Sequence, residues 1–463
     1  MTSTRVATIR KKPGGVVSST AALVLGLTAA FLVFFTSPLP LTSNLLYLLG
    51  ILLMVGAVIY VPQLRLNRTQ TLSPRNLMLL SFALKIVVVP ILVARAGYSQ
   101  GLLPNLPTLP YIHQAHGVYI SAMIAAFVGF TVVHRVPRHE RIWALPNWLL
   151  IVLGMLALPA ALYQLLVVLA GTRGAGVATP SSSNIFQVAS TFFRALAPVV
   201  LLTVLFGRRP VKGWQTFPFW KLALGTALMV TVTFSINRAN IIYPSLALFT
   251  VYALFNTRLR YSQIVLLGVL ALTAVFYAGQ ARERYLLGEY AYQTRKHLSR
   301  ADNAIEGAQV YFNAPQFGAY AIREFDDAPP TLTASLLESV PVLGERFRSG
   351  SGSYLYNFSI YRHFRARDQV YPAPIEVFVN LGWLGVLGVY LAVGALIAAL
   401  HNVFVSARRN VFLAYISAYL TLLVCASINL SVSVVGQFAV YSATPFLVLW
   451  GWMALARYRW AAS

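Results

Sequence analysis

Long apolar segments dominate this sequence and restrict its fold more than any other feature. A helix needs about 20 mostly apolar residues to cross a hydrocarbon core about 30 Å thick. Twelve segments of suitable length can be placed, at 16–36, 43–62, 76–96, 114–134, 143–171, 188–206, 219–236, 239–256, 262–281, 377–400, 410–428 and 434–456. The sequence therefore predicts an all-α polytopic membrane protein with about 12 transmembrane helices.

The composition excludes a soluble globule. Of 463 residues, 58% are hydrophobic and only 10% are charged, which is too little polar surface to cover a soluble protein of this size. The single cysteine, Cys425, lies in an apolar run, so no disulfide can form within the chain and a buried free thiol is predicted.

Charge is distributed unevenly and indicates topology. The net charge is +24, yet 11 of the 12 acidic residues lie between Glu283 and Glu376. The stretch 282–376 also holds 11 Lys and Arg. The rest of the chain therefore contains 25 basic residues and a single acidic residue, Glu140. Most of those 25 lie in short connections, where the positive-inside rule places them in the cytoplasm. The excess charge therefore indicates membrane orientation, and no nucleic-acid partner is predicted.

Basic residues fall on every second connection, and this alternation divides the chain into three parts. It places both termini in the cytoplasm, with nine helices in 1–281 and three in 377–463. The stretch 282–376 becomes one large loop on the opposite face. Apolar and charged residues mix at near-helical spacing over 302–321, and 354–361 is rich in aromatics, so short helices lying on the outer membrane surface are predicted there.

Cations at membrane depth are candidates for binding an anion, because burying them in lipid is costly. Four lie on or near the outer half of the predicted spans: Lys85, Arg95, Arg194 and Arg238. Arg238 stands in a polar turn between two helices, and Arg282 and Arg284 begin the large loop. The arginines either reach out to lipid headgroups or converge on a diphosphate, which the planar guanidinium fork binds with paired hydrogen bonds.

Candidates for a general base are few. Every carboxylate except Glu140 lies in the large loop, and Glu376 alone stands where the chain enters the membrane. An acid just after Pro374 also fits ordinary helix initiation. His363 and Asp368 are further candidates, for which the alternative is a solvated loop face. His113 also stands at a predicted membrane entry and is a rival to Glu376.

Metal and nucleotide motifs are missing from the sequence. His113 and His116 are three residues apart, but no cysteine or carboxylate lies near them. The chain has no P-loop, no dinucleotide fingerprint and no Asp-x-Asp pair. We therefore predict neither a metal site nor a cofactor.

Two local patterns and the topology resemble those of the Wzy-type polymerases, which join oligosaccharide repeat units in bacterial surface polysaccharide synthesis. One pattern is Arg238 after a polar residue at a helix-hairpin turn. The other is Gly350-Ser351-Gly352-Ser353-Tyr354 followed by a run from Pro374 through Glu376 and Asn380 to Gly385.

The resemblance implies a metal-independent glycosyltransferase of the bacterial inner membrane, whose large loop is periplasmic. Its substrates would be oligosaccharides on undecaprenyl diphosphate, its environment membrane lipid, and its partner a chain-length regulator. The expected site consists of two sets of residues. Arg194, Arg238, Arg282 and Arg284 would bind the diphosphate, and the catalytic set would be Glu376, Arg238, His363 and Asp368.

Three other classes of membrane protein remain as alternatives. O-antigen ligases resemble these polymerases, but usually place a histidine where this chain has Pro374-Ile375-Glu376. A flippase or other transporter would not need the large loop, and no inverted repeat is visible. Glycosyltransferases with a catalytic acid in the first outer loop are disfavoured, because the connection 37–42 holds no acid.

Overall fold

A computed structural model describes thirteen parts of the chain, and every regular element in them is helical. These parts are 73–83, 109–134, 147–169, 185–206, 219–233, 239–255, 314–325, 330–341, 343–361, 371–406, 411–428, 430–449 and 451. The predicted all-α class is confirmed for this part of the protein. The predicted segments 16–36, 43–62 and 262–281 lie outside it.

Seven described helices precede the large loop. They are α1 (Pro74–Ala83), α2 (Leu109–Val133), α3 (Asn147–Leu169), α4 (Ile185–Arg194), α5 (Ala197–Phe206), α6 (Phe219–Thr233) and α7 (Ala239–Phe255). Each overlaps one of the predicted apolar segments. The segment 188–206, predicted as one helix, is interrupted between α4 and α5, so Arg194 lies at the end of a helix.

The described part of the large loop is folded into short helices. These are α8 (Ala314–Phe325), α9 (Leu332–Leu337), a 3-10 helix (Gly344–Gly350) and α10 (Gly352–Tyr361). The helix predicted over 354–361 is confirmed.

The last part of the chain contains α11 (Ala373–Ser406), α12 (Val411–Ala426) and α13 (Val432–Gln437), which continues through a π-helical turn (Phe438–Ala443). Three described helices, Pro110–Val133, Ala373–Ser406 and Val432–Leu449, are long and apolar enough to cross a membrane. The protein is therefore consistent with a membrane protein. Cys425 is a buried free cysteine in α12, as predicted.

The α2–α11 pair forms the centre of the fold, and small residues let the two backbones approach closely. A Cβ on Gly394 would overlap the Ala126 carbonyl oxygen, and one on Gly129 would overlap that of Leu391. Such small-residue crossings are a common way to pack helices in lipid, where backbone proximity increases van der Waals contact. Helices α1, α8 and α10 pack around this pair.

A second apolar cluster joins α3, α5, α6, α7, α12 and the last helix.

Helix α11 begins at Ala373, four residues before the predicted span, and bends at Gly382. The backbone of Gly382 has φ 64° and ψ −164°, a conformation that is essentially restricted to glycine. The bend separates a short buried first piece, which contains Glu376, from the long apolar piece that follows.

Candidate functional site

The carboxylate of Glu376 is the centre of a buried polar cluster where the loop meets α11. Glu376 is fully buried, with 0% solvent exposure. Oε1 accepts hydrogen bonds from the Thr331 hydroxyl at 3.1 Å and from the Ser335 hydroxyl. Oε2 accepts a hydrogen bond from the backbone N–H of Val432 at 3.3 Å. Four residues thus link the start of α11 to α9 and to the beginning of α13.

A second set of hydrogen bonds holds these donors in place. The Ser335 hydroxyl accepts from the Gly352 N–H at 2.8 Å. Asn380 Oδ1 accepts from the N–H groups of Thr331 at 2.6 Å and Leu332 at 3.0 Å, so it caps the first turn of α9. We call Glu376, Thr331, Ser335, Gly352, Asn380 and Val432 the carboxylate junction.

Gly352 lies so close to Glu376 that only glycine fits. A Cβ at this position would overlap Glu376 Oε1 and lie 2.8 Å from Tyr371 Cδ1. The two sequence patterns 350–354 and 374–385 are therefore in direct contact, although 19 residues lie between them.

Stacked aromatic rings cover one side of the carboxylate junction. Tyr371 stacks on Tyr356 at a centroid distance of 5.2 Å and on Phe325 at 5.7 Å. Tyr356 donates a hydrogen bond to the Phe317 carbonyl at 3.0 Å. The buried Tyr371 hydroxyl has no hydrogen-bond partner among the described residues. Burial, with a smaller contribution from the Glu376 charge, raises the pKa of Tyr371, so its phenol stays neutral.

The environment of Glu376 determines what the residue can do in this conformation. It is no solvated helix cap, because it is enclosed and bonded to residues 41 to 56 positions away. Within the described residues, its hydrogen-bonding partners are two hydroxyls and a backbone N–H. In this conformation the enclosed carboxylate joins the loop to α11 through hydrogen bonds at both oxygens. Its role as a general base stays a prediction.

Arg194 is a second buried polar group, at the break between α4 and α5. It is 7% exposed, and its Nη1 has no hydrogen-bond partner among the described residues. Tyr419 of α12 interacts with it electrostatically and is itself hydrogen-bonded to Ser442. Within the described residues, Arg194 has no ion pair.

Arg194 is not among the hydrogen-bonding or ion-pair partners of Glu376 in the described part of the chain.

Several predicted site residues lie outside the described residues. These are Arg238, Arg282, Arg284, His363 and Asp368, together with Lys85 and Arg95.

Reasoning from the sequence missed Thr331 and Ser335, and it named Asn380 only as part of a pattern, without a role. A signal was available, because Thr331 and Ser335 are four residues apart, as are Glu376 and Asn380. On helices, this spacing puts each pair on one face, where two polar pairs can meet.

His113 and His116, the two histidines that are three residues apart in the sequence, both lie in α2. The ring Nδ1 of His116 lies 2.8 Å from the Ile112 carbonyl oxygen, one turn earlier. No group of three histidine, cysteine or acidic residues suited to a metal occurs among the described residues.

No protein-family model, curated protein or solved structure matches the chain. Its function therefore has to be argued from the chemistry of these two buried groups and their surroundings.

Proposed function

We propose that this protein is a membrane glycosyltransferase that polymerises undecaprenyl-diphosphate-linked oligosaccharide repeat units at the periplasmic face of the bacterial inner membrane. The observation that carries the proposal is Arg194, a buried cation in an apolar helix pair with no ion pair among the described residues. Such a charge is costly in lipid unless an anion accompanies it. A lipid diphosphate supplies that anion at membrane depth.

The proposed topology has twelve transmembrane helices, cytoplasmic termini and a periplasmic loop over 282–376. It is supported by the alternation of basic connections along the chain. The folded helices of the loop support an enzyme over a plain connection, because they add an ordered layer beside the membrane helices.

In the proposed reaction, a hydroxyl of one repeat unit attacks the anomeric carbon of the glycan on another carrier. The bond between that carbon and the diphosphate oxygen breaks, and the diphosphate leaves with the electron pair. Arg194, with Arg238, Arg282 and Arg284, stabilises the charge that develops on the leaving group. The acceptor proton passes to a loop base, for which His363 and Asp368 are the candidates while Glu376 remains enclosed.

The test uses purified protein and lipid-linked repeat units, with the products separated by size on a gel. A polymerase produces a ladder of longer glycans on the lipid, whereas a flippase or transporter leaves their length unchanged. A ligase would transfer glycan to a different acceptor and would give no ladder.

Arg194→Lys keeps the charge but loses the planar fork, so we expect ladder formation to fall by about tenfold or more, as for a charged hydrogen bond worth about 1.5–3 kcal/mol. Arg323→Lys is the matched control, because Arg323 pairs with Glu324 near the surface at 2.9 Å. Full activity of Arg194→Lys and of Arg194→Ala would remove Arg194 from the substrate site.

A further inference from the structure

The segment from α9 to the end of the 3-10 helix exposes three large apolar side chains. Leu336 is 51% exposed, Leu343 49% and Phe347 37%. The two short helices pack on each other, since Gly350 lies against Ala334. Large apolar side chains grouped on one exposed segment commonly mark a surface that is covered by another molecule or by a membrane.

This exposed surface begins beside the apolar outer surface of α11. Asn380 accepts hydrogen bonds from the N–H groups of Thr331, the N-cap of α9, and Leu332, its first residue. The residues that follow Asn380 on α11 are strongly exposed, with Leu381 at 53% and Leu384 at 83%. Because a helix rises about 1.5 Å per residue, Leu336 lies only about 6 Å along α9 from Leu332. The apolar surface of the loop therefore continues that of a helix able to span a membrane.

The charges of the segment are compatible with lipid headgroups. Arg348 forms an ion pair with Glu345 at 2.7 Å and lies 3.5 Å from the buried Glu338, so both acids have a cation beside them. Arg346 is exposed and has no ion pair among the described residues. It is thus the cation of the segment that can reach a phosphate group.

We propose that the described residues of 332–350 lie in the interface of the lipid bilayer, with Leu336, Leu343 and Phe347 inserted below the phosphates and Arg346 at their level. Amphipathic segments of this kind lie with their apolar face about 5–10 Å into the boundary of headgroups and acyl chains. Lipid contact would hold α9 level with the start of α11, where Thr331 and Ser335 meet Glu376.

The test measures the depth of single nitroxide labels on the full-length protein in vesicles of phosphatidylethanolamine and phosphatidylglycerol. Leu343→Cys and Phe347→Cys carry the label, and Ser349→Cys, an exposed polar position on the same 3-10 helix, is the matched control. Cys425 is buried, so the unaltered protein treated with the label is the blank. Relaxation by oxygen, which concentrates in lipid, is compared with relaxation by a water-soluble nickel complex.

We expect labels at Leu343 and Phe347 to respond more to oxygen than to nickel, at a depth of about 5–10 Å, and the Ser349 label to respond more to nickel. Equal access of nickel to all three positions would overturn the proposal, because the segment would then face water. Protection of Leu343 and Phe347 from both reagents would also overturn it, since the surface would then be covered by protein, such as a second copy of the chain.

Discussion

The carboxylate of Glu376 shows how one residue connects α9, α11 and α13. Its three donors come from α9 and α13, and its neighbour Asn380 fixes the start of α9. An enclosed carboxyl group is costly without such donors, so the cluster is expected to depend on every member.

Glu376→Gln tests this dependence, because it keeps the shape but replaces one acceptor oxygen by an NH₂ donor facing hydroxyl or N–H groups. We expect the free energy of unfolding to fall by about 1–3 kcal/mol, the usual effect of an unsatisfied buried polar group. Thermal unfolding in detergent measures the loss, and Glu324→Gln, at an exposed site, is the control.

A double-mutant cycle with Ser335→Ala identifies the cause of that loss. If the two residues act through their hydrogen bond, the double variant is less destabilised than the sum of the single variants. Strict additivity would contradict the contact between Ser335 and Glu376.

Gly352→Ala probes the close approach of α10 to Glu376. The added methyl group overlaps Glu376 Oε1 and crowds Tyr371, so a destabilisation of about 1–3 kcal/mol is expected from overpacking. Gly350→Ala is the matched control two residues earlier, where the nearest atom to a new Cβ is 3.4 Å away. Equal stability of the two variants, measured by thermal unfolding, would show that α10 can withdraw from Glu376.

At the scale of elements, the bend in α11 separates the buried carboxylate piece from the apolar piece. Phe378 and Trp383 pack edge to face across the bend, with centroids 4.8 Å apart. The bend therefore sets the direction in which α11 leaves the carboxylate junction.

Gly382→Ala tests how much the unusual backbone conformation at this position costs when the residue is not glycine. Nothing lies within 4 Å of a new Cβ, so the expected loss of about 1–3 kcal/mol comes from the backbone angles alone. Gly388→Ala lies on the same helix with equally open surroundings and ordinary helical angles, so it should be neutral or stabilising. The difference in unfolding temperature between the two variants measures the strain, and no difference would mean that α11 straightens easily.

At the scale of the whole molecule, the orientation of the loop is the prediction on which the proposed function depends. Ser335 is unsuitable for labelling, because it is buried and its hydroxyl donates a hydrogen bond to Glu376. Ser349 is exposed and can be labelled. We expect Ser349→Cys to react with an impermeant thiol reagent in intact cells whose outer membrane has been made permeable.

The control is Ser463→Cys at the C-terminus, which should react only after lysis because that end is predicted to be cytoplasmic. Reversal of this pattern would place the loop in the cytoplasm and would exclude a periplasmic polymerase.

The sequence by itself determined the features that depend on local composition. Long apolar runs predicted most described helices to within a few residues, because a helix in lipid must be apolar along its length. It also made Glu376 a candidate, since that acid alone adjoins an apolar run after the loop.

Only the tertiary structure decided what surrounds Glu376. The donors to Glu376 are 41 to 56 residues away in the chain: Thr331, Ser335 and Val432. No local sequence pattern specifies which distant hydroxyl will donate a hydrogen bond to a buried carboxylate. The need for glycine at 352 and the bend at Gly382 likewise arise from close packing and chain direction. The hydropathy of a segment indicates whether it can lie in lipid or in water. Hydrogen bonds between segments depend instead on how the helices pack. The burial of Glu376 among these donors is therefore seen only in the tertiary structure.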